Sequence, residues 1–164
     1  MSELELPELD EALLEVGSAL VVGTVSSAGE PRASRASSWR LVDAAGRRVR
    51  MAISADDPTV VDNLMPRADR PDPPVAVTGA DVATLRSVQL KGRVVAMGDP
   101  DAGDLVSIER HLDVFTRKIE ATDGHPREIV RRFLPRAYVM VELVVDEAYD
   151  QTPGPGAGAV LREP

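Results

Sequence analysis

The sequence predicts a domain that is mainly β with some α: a six-stranded antiparallel β-barrel with flanking helices packed outside it. Six segments with strand-like patterns are separated by many short turns. A stretch with helical spacing is inserted late, after residue 98. Closing such strands into a barrel removes the exposed edges that an open sheet would present.

The first half of the chain predicts three strands and two short helices. Apolar residues at helical spacing indicate an amphipathic N-terminal helix: Leu9, Leu13, Leu14 and Val16. Strands are expected at 19–26, 32–42 and 48–54, joined by turns at 27–31 and 43–46. Asp57 and Pro58 favour a helix start, because aspartate caps a helix and proline fits its first turn. A helix is therefore predicted over 58–65.

The second half predicts three strands, two helices and a tail. Strands are expected at 74–79, 85–97 and 136–145, and Gly92 indicates a bulge or a close backbone approach. One apolar stripe predicts a helix that begins at 99–100 and ends at 123–124: Leu105, Ile108, Leu112, Phe115 and Ile119. A short helix is expected at 126–134, with Ile129, Val130 and Phe133 facing inward. Residues 1–147 form the predicted domain, and the Gly/Pro-rich tail, 148–164, is expected to lie extended across a dimer.

Composition narrows the function classes. The 164 residues suffice for one domain with a core, and 43% hydrophobic content argues against disorder. A formal net charge of −8 argues against general nucleic-acid binding. With no cysteine and two histidines, no metal site is expected. No apolar run approaches the roughly 20 residues of a membrane span, and the N-terminus lacks the basic region of a signal peptide, so we expect a cytoplasmic protein with no membrane partner.

The most informative stretch is the hairpin over residues 19–41. Its second strand carries Arg35, Ser37 and Arg40, where an apolar strand would carry valine or isoleucine. Polar side chains inside a strand cost free energy unless they meet water, partners or a ligand. The hairpin therefore indicates a binding surface; the alternative is that both arginines are solvated or form ion pairs at a dimer interface.

The order and spacing of these segments resemble the pyridoxamine 5′-phosphate oxidase-like flavoproteins, the FMN-binding split barrels. The resemblance covers roughly residues 10–147 and rests on GTVSSAGEPRASRASSWR (23–40), RVRMAIS (48–54), DDPTVVDNL (56–64), PVAVTG (74–79), LRSVQLKGRVVAM (85–97) and the helix that follows. It implies a split barrel, a homodimer with FMN in grooves at the subunit interface, and a small-molecule substrate.

The resemblance also implies which residues contact the cofactor, while it assigns no catalytic residue. Seven positions are implied: Arg35, Ser37, Arg40, Ser54, Thr59, Ser87 and Gln89. Of these, Ser54 would lie near the phosphate-binding turn, and Thr59 would contact the phosphate from the start of the next helix. Ser87 or Gln89 would reach the cofactor from the partner subunit.

The turn after the third strand departs from the family pattern. Relatives that hold FMN firmly often carry Ser-Arg-Lys there, whereas this chain has Asp56 and Asp57. At an effective dielectric near 20, a carboxylate about 6 Å from a phosphate costs roughly 3 kcal/mol before screening, so weak or absent FMN binding is expected. The alternative is that both aspartates cap the helix. Three alternatives to FMN stay open: F420, which some relatives bind; heme; and no cofactor at all.

Two function classes follow. The first is a flavin-dependent oxidoreductase that uses FMN or F420 on a small organic substrate; the cofactor then does the chemistry, so no catalytic triad needs to be visible. The second is a non-catalytic cofactor-binding or vestigial split-barrel dimer.

Trp39 is expected to anchor the core or an interface, and His111 is expected at the surface or an interface.

Overall fold

Seven strands and three helices make up the part of the chain that the computed structural model describes, residues 16–43 and 47–162. The strands are β1 (Ala19–Val25), β2 (Pro31–Asp43), β3 (Arg48–Ser54), β4 (Pro74–Ala80), β5 (Ser87–Gly98), β6 (Tyr138–Asp150) and β7 (Val160–Arg162). The helices are α1 (Pro58–Leu64), α2 (Ala102–Asp123) and α3 (Arg127–Arg131). The predicted N-terminal helix, up to residue 15, and positions 44–46 of the second turn lie outside the described residues.

The first six strands form a closed antiparallel barrel. Neighbours pair in the order β3-β2-β1-β4-β5-β6, and β6 also pairs with β3 from Arg48↔Val144 to Ser54↔Tyr138. Because β3 and β6 close the ring, the two strands cover each other's edges. The predicted six-stranded barrel with flanking helices is confirmed.

The last barrel strand is longer than predicted and takes in part of the tail. The predicted strand ends at Val145, whereas β6 continues through the buried Ala148 to Asp150. After a Gly/Pro turn the chain returns, and β7 pairs with β6 at Ala148↔Arg162. The Gly158 N–H donates to the Asp150 carbonyl at 2.7 Å. The tail therefore folds back on its own sheet, and the prediction that it is extended is wrong.

The barrel interior is filled by aliphatic side chains and one tryptophan. Its fully buried residues include Val22, Met51, Ile53, Val77, Leu90, Val94 and Leu143. Trp39 is 6% exposed, and its ring fills the space beside Gly79, where an added Cβ would lie 2.3 Å from Trp39 Cζ2. The prediction that Trp39 is an anchor is confirmed for the core, where a large aromatic side chain buries much apolar surface.

An ion cluster ties the N-terminus of α2 to the outside of the barrel. Asp101 and Asp104 form a capping box at the start of the helix. The fully buried Asp104 carboxylate accepts from Arg50 Nη2 at 2.5 Å, Arg50 Nε at 3.0 Å and Arg40 Nη2 at 3.3 Å. Arg50 also donates to Glu142 at 3.0 Å. The hydrogen bonds from Arg50, opposed by burial, lower the pKa of Asp104 to about 2.

The apolar stripe of α2 begins one turn later than predicted. Ile108 and Leu112 are buried against Met140, but Leu105 is 53% exposed. The first turn directs Asp104 inward to the ion cluster, so its neighbour Leu105 faces outward.

No helix in the described part of the chain is long and apolar enough to cross a membrane.

The short helix α3 does not bury the apolar side chains that the sequence assigns to its inner face. Ile129 is 48% exposed and Phe133, just after the helix, is 74% exposed. Ion pairs hold the helix against α2 instead: Arg127 with Asp113, and Arg131 with Glu109 at 2.8 Å. The prediction that Ile129 and Phe133 face inward is wrong, because the charged side of α3 faces its neighbour.

Candidate functional site

A groove lies on the outside of the barrel beside β2 and the segment that links α3 to β6. It consists of two adjoining cavities that share Arg35, Leu134 and Pro135. The first, the polar end, has a volume of about 430 Å³ and is also lined by Ser34, Ser54, Asp56, Asp57, Arg132, Phe133 and Arg136. The second, the apolar end, measures about 230 Å³ and is also lined by residues 18–21, Ala36, Ser37, His111, Leu112 and Phe115. We call the whole the Arg35 groove.

Three arginines without ion-pair partners line the polar end. Arg35 comes from β2, and Arg132 and Arg136 come from the segment after α3. Across residues 16–43 and 47–162, no carboxylate forms an ion pair with any of the three, although other arginines such as Arg50 are paired. Ser54 adds a buried hydroxyl, which accepts the Asp56 N–H at 3.1 Å. Guanidinium groups and hydroxyls in this arrangement suit an anionic group such as a phosphate.

The acidic turn opposes these arginines less than its sequence suggests. Asp57 accepts from the backbone N–H groups of Thr59 at 3.1 Å and Val60 at 3.3 Å, and so caps α1. Its other oxygen pairs with Arg32 at 2.8 Å, and this contact lowers the pKa of Asp57. The helix-capping alternative is therefore confirmed for Asp57, and Asp56 is the carboxylate of the turn that is left facing the groove.

A histidine in the apolar end is held neutral by its surroundings. His111 is 5% exposed within the single chain, so the prediction that it lies at the surface or an interface is wrong. Its Nδ1 accepts the Gly17 N–H at 3.2 Å, and Nε2, which then carries the proton, donates to the Ser18 carbonyl at 2.9 Å. Burial lowers the pKa of His111 to about 4. With both nitrogens engaged, His111 positions the chain before β1 and has no free nitrogen for a ligand.

A tyrosine fixes the wall that the two cavities share. The Tyr138 hydroxyl donates to the Pro135 carbonyl at 2.6 Å. Burial raises the pKa of Tyr138, so the phenol stays protonated near neutral pH. Ser37, 2% exposed, lines the apolar end from β2. In the described part of the chain, no cluster of acidic and histidine side chains is placed to hold a metal ion.

Two of the seven predicted site residues, Arg40 and Thr59, do not line the Arg35 groove. A register shift in β2 between Ala36 and Ser38 keeps Arg40 on the outer face of the barrel, where Arg35 also lies, but there Arg40 pairs with Asp104 in the ion cluster and does not line the groove. Thr59 is exposed on the first turn of α1, and its backbone N–H donates to Asp57. Arg35, Ser37 and Ser54 are the predicted residues that the fold brings together in the groove.

The last two predicted residues lie on β5, on the face of the barrel that carries Arg35. The strand register places Arg35 beside Val21, Val21 beside Thr78, and Thr78 beside Gln89. At roughly 4.8 Å between strands, this row puts Gln89 about 14 Å from Arg35. Gln89 donates to the Thr78 hydroxyl at 3.1 Å. The Ser87 hydroxyl donates to the carbonyl that precedes Thr152 in the tail at 3.0 Å.

Sequence reasoning missed the second half of the arginine cluster. Arg132 and Arg136 fall in RRFLPR, residues 131–136. The sequence pattern assigns Arg132 to the end of a packed helix and Arg136 to the first position of the last barrel strand. Three cations in six residues are conspicuous in a chain of net charge −8, and a proline there ends any helix. That combination is the available signal for an exposed basic loop.

Comparison with known proteins identifies the fold. The chain is similar to HupZ from Group A Streptococcus, with a TM-score of 0.50 and 16% identity over 93% of this chain and 98% of that one. It is similar to a candidate pyridoxamine 5′-phosphate oxidase from Lactobacillus delbrueckii (TM-score 0.47, 15% identity, 91% and 93% covered). An F420 reductase also matches (TM-score 0.46, 17% identity, 84% and 94% covered), as does HutZ, a heme storage protein from Vibrio cholerae (TM-score 0.45, 15% identity, 91% and 95% covered). No protein-family model and no curated protein matches the sequence.

Proposed function

We propose, for a chain with the pyridoxamine 5′-phosphate oxidase-like fold, that the Arg35 groove binds a phosphate-bearing flavin and that the protein is an oxidoreductase acting on a small organic substrate. The supporting observation is the unpaired arginine cluster around the buried Ser54, at one end of a groove whose other end is apolar. FMN has the same division into an anionic phosphate and a flat ring system. F420, a deazaflavin that also carries phosphate, is the second cofactor considered.

The charge of the polar end suits a phosphate monoester. Arg35, Arg132 and Arg136 contribute three cations, and Asp57 is neutralised by Arg32. Asp56 then leaves a formal charge of 3 − 1 = +2. A phosphate monoester carries about −1.5 to −2 at pH 7, so the two charges nearly cancel. The Ser54 oxygen accepts from Asp56, which leaves its O–H to donate to the ligand. The residues present therefore fit the phosphate.

The apolar end would hold and shield the ring system. When bound, the flavin supplies hydride transfer, and the chain supplies position and electrostatics. Leu112, Phe115 and Leu134 exclude water from this end of the groove. The Tyr138 hydroxyl holds the Pro135 wall in place, and the neutral His111 adds no charge beside the ring.

A homodimer is part of the proposal. The outer face of β1 and β4 beside the groove carries small side chains that permit close packing: Ala19, Val21, Gly23, Ala76, Thr78 and Ala80. Val21 is 49% exposed there. A second copy packed on this face would bring its own Ser87 or Gln89 towards the groove. A stable interface of this kind buries well over about 1,000 Å², and sedimentation showing only monomer at micromolar concentration would exclude it.

Replacing Arg35 with alanine tests the cofactor proposal. We expect FMN affinity to fall by about 1.5–3 kcal/mol, the range for a hydrogen bond to a charged group, or roughly 10- to 150-fold in Kd. Quenching of FMN fluorescence on titration gives the Kd. Arg48→Ala is the matched control, because Arg48 is an exposed arginine on β3, six residues or roughly 20 Å from Ser54.

The same titrations with F420 and heme separate the remaining alternatives. An unchanged Kd for Arg35→Ala with tight FMN binding would place the phosphate elsewhere. A protein that binds none of the three would support the non-catalytic split barrel.

Removing the carboxylate of Asp56 is expected to strengthen FMN binding three- to tenfold. The Asp56→Ser change deletes the one negative charge of the polar end that has no described ion-pair partner, and it leaves the Asp57 cap intact. Asp69→Ser makes the same change in net charge at an exposed position outside the groove. Equal gains in the two variants would show that net charge alone is responsible.

A further inference from the structure

We propose that the polar end of the Arg35 groove recognises a nucleoside diphosphate, so that the ligand of the whole groove is a dinucleotide. The proposal deepens the proposed function and rests on it only for the ring system that would fill the apolar end. A nucleoside diphosphate presents linked anionic phosphates, a sugar with hydroxyl donors and a flat base. The polar end carries a matching side chain for each of these parts.

The cations of the groove are placed for more than one phosphate. Arg35 lines both cavities and so stands at their junction, whereas Arg132 and Arg136 line the polar end alone. Among the described residues, none of these guanidinium groups has an ion-pair partner. Linked phosphates would offer oxygen acceptors to the arginine at the junction and to the pair beyond it, because arginine binds phosphate through paired N–H donors.

An aromatic ring is held open to solvent at the same cavity. Phe133 lines the polar end and is 74% exposed. Its N–H donates to the Val130 carbonyl at 3.0 Å, and the next residue, Leu134, packs against the cluster that contains Ile108 and Met140. A ring whose backbone is already fixed loses little freedom when a base stacks on it. Stacking on an aromatic face is tolerant of the base, so this contact selects a nucleoside of any base.

An acidic side chain that opposes a bare phosphate has a use beside a nucleoside. Asp56 lines the polar end and has no ion-pair partner in the described part of the chain, whereas Asp57 is paired with Arg32. The Asp56 backbone is held by its N–H, which donates to the Ser54 hydroxyl at 3.1 Å. Carboxylates in dinucleotide sites accept hydrogen bonds from ribose hydroxyls. We assign that role to Asp56.

The order of these groups along the groove matches a dinucleotide. The apolar end would take the ring system, Arg35 at the junction would take the diphosphate, and Phe133 and Asp56 in the polar end would take the nucleoside. A mononucleotide that ends in one phosphate leaves Phe133 facing solvent and Asp56 facing an anion. A dinucleotide uses both side chains.

Calorimetry with ADP and inorganic pyrophosphate tests the base contact without any flavin. Both probes carry linked phosphates, but only ADP carries a nucleoside. We expect the full-length protein to bind ADP about tenfold or more tightly than pyrophosphate. Phe133→Ala should weaken ADP binding by about 5- to 150-fold, the loss typical of one stacked base, and should leave pyrophosphate binding unchanged within about twofold.

Ile129→Ala is the control for Phe133→Ala, since Ile129 is 48% exposed on α3 and does not line the polar end. Equal binding of ADP and pyrophosphate by the wild-type protein would overturn the proposal. So would a loss in Phe133→Ala that is the same for both probes or no larger than the loss in Ile129→Ala.

The sugar contact is tested with ADP and 2′,3′-dideoxy-ADP, which lacks both ribose hydroxyls. We expect the wild-type protein to prefer ADP by roughly tenfold or more, as for a hydrogen bond to a charged group, and Asp56→Ser to reduce that preference to about twofold. The same variant should bind pyrophosphate more tightly, because it removes a negative charge. Asp69→Ser makes the same charge change outside the groove and should keep the preference. A full preference in Asp56→Ser would refute the sugar contact.

Flavins separate this inference from the proposed function. We expect the dinucleotide FAD to bind about fivefold or more tightly than FMN, and Phe133→Ala to remove that difference. FMN binding with no advantage for FAD, or for ADP over pyrophosphate, would overturn the nucleoside diphosphate site and leave the proposed function standing. Binding of ADP that depends on Phe133, with no binding of either flavin, would overturn the proposed function and leave this site standing.

Discussion

Replacing Gly92 with alanine is expected to destabilise the protein by about 3–4 kcal/mol or more, or to prevent folding. A Cβ at Gly92 would lie 2.0 Å from the Val144 carbonyl oxygen and 3.2 Å from Val145 Cα. These are backbone atoms of the paired strand β6, so no side-chain rotation can relieve the contact. The pairing of β5 and β6 already shifts register between Lys91 and Gly92, and the two strands would have to separate.

A second glycine on the same strand is the matched control. An added Cβ at Gly98 would meet nothing within 4 Å, so Gly98→Ala is expected to change stability by no more than about 0.5 kcal/mol. Urea unfolding followed by circular dichroism gives both values. Similar midpoints for the two variants would contradict the close approach at Gly92.

Replacing Asp104 with alanine is expected to cost about 3–5 kcal/mol, which lowers Tm by roughly 6–20 °C. The change removes the carboxylate that Arg50 and Arg40 share and leaves Arg50, whose side chain is 17% exposed, with only Glu142. It also removes half of the capping box with Asp101. Thermal unfolding measures the effect.

Asp99→Ala is the control for Asp104→Ala, since Asp99 is exposed just before α2. A loss below about 1 kcal/mol for Asp104→Ala, comparable to an ordinary surface change, would show that the ion cluster is dispensable.

The same carboxylate gives the stability a defined acid dependence. The pKa of Asp104 falls from 3.8 to about 2 on folding, so the unfolded chain binds its proton more readily. Its contribution is therefore complete above about pH 5 and is lost as the pH falls towards 2. The gap in stability between wild type and Asp104→Ala should narrow over that range, and a constant gap would argue against an ionised Asp104 in the native state.

The strands can be predicted from the sequence because alternation and turn residues are local signals. β3 has the predicted bounds, and Gly92 stands out as a special position within its strand. The end of β6 cannot be predicted, because the residues after Val145 continue the strand by pairing with β5 and β7. β5 is distant in the sequence, and β7 is too short to show a strand pattern. The prediction for Leu105 is wrong for a similar reason: its neighbour Asp104 is buried by arginines more than 50 residues away.

About half of the candidate site can be predicted from the sequence. Arg35 and Ser54 are polar residues in or at the end of strands, where alternation predicts which face they occupy. Arg132 and Arg136 lie in a segment without periodicity, so their position depends on how Tyr138 and Pro135 join it to the barrel. The helix cap by Asp57 is predictable, but its pairing with Arg32 requires the β1–β2 turn to approach α1.

The closure of the barrel by β6 sets the order in which the protein can fold. During synthesis the first five strands emerge before residues 138–150, and until then β3 and β5 each have an open edge. The pairing Arg48↔Val144 joins residues that are far apart in the chain, and such long-range contacts slow folding into the millisecond-to-second range. The nascent chain therefore carries two unprotected β edges that can pair with other chains, a hazard that ends only when β6 leaves the ribosome and closes the ring.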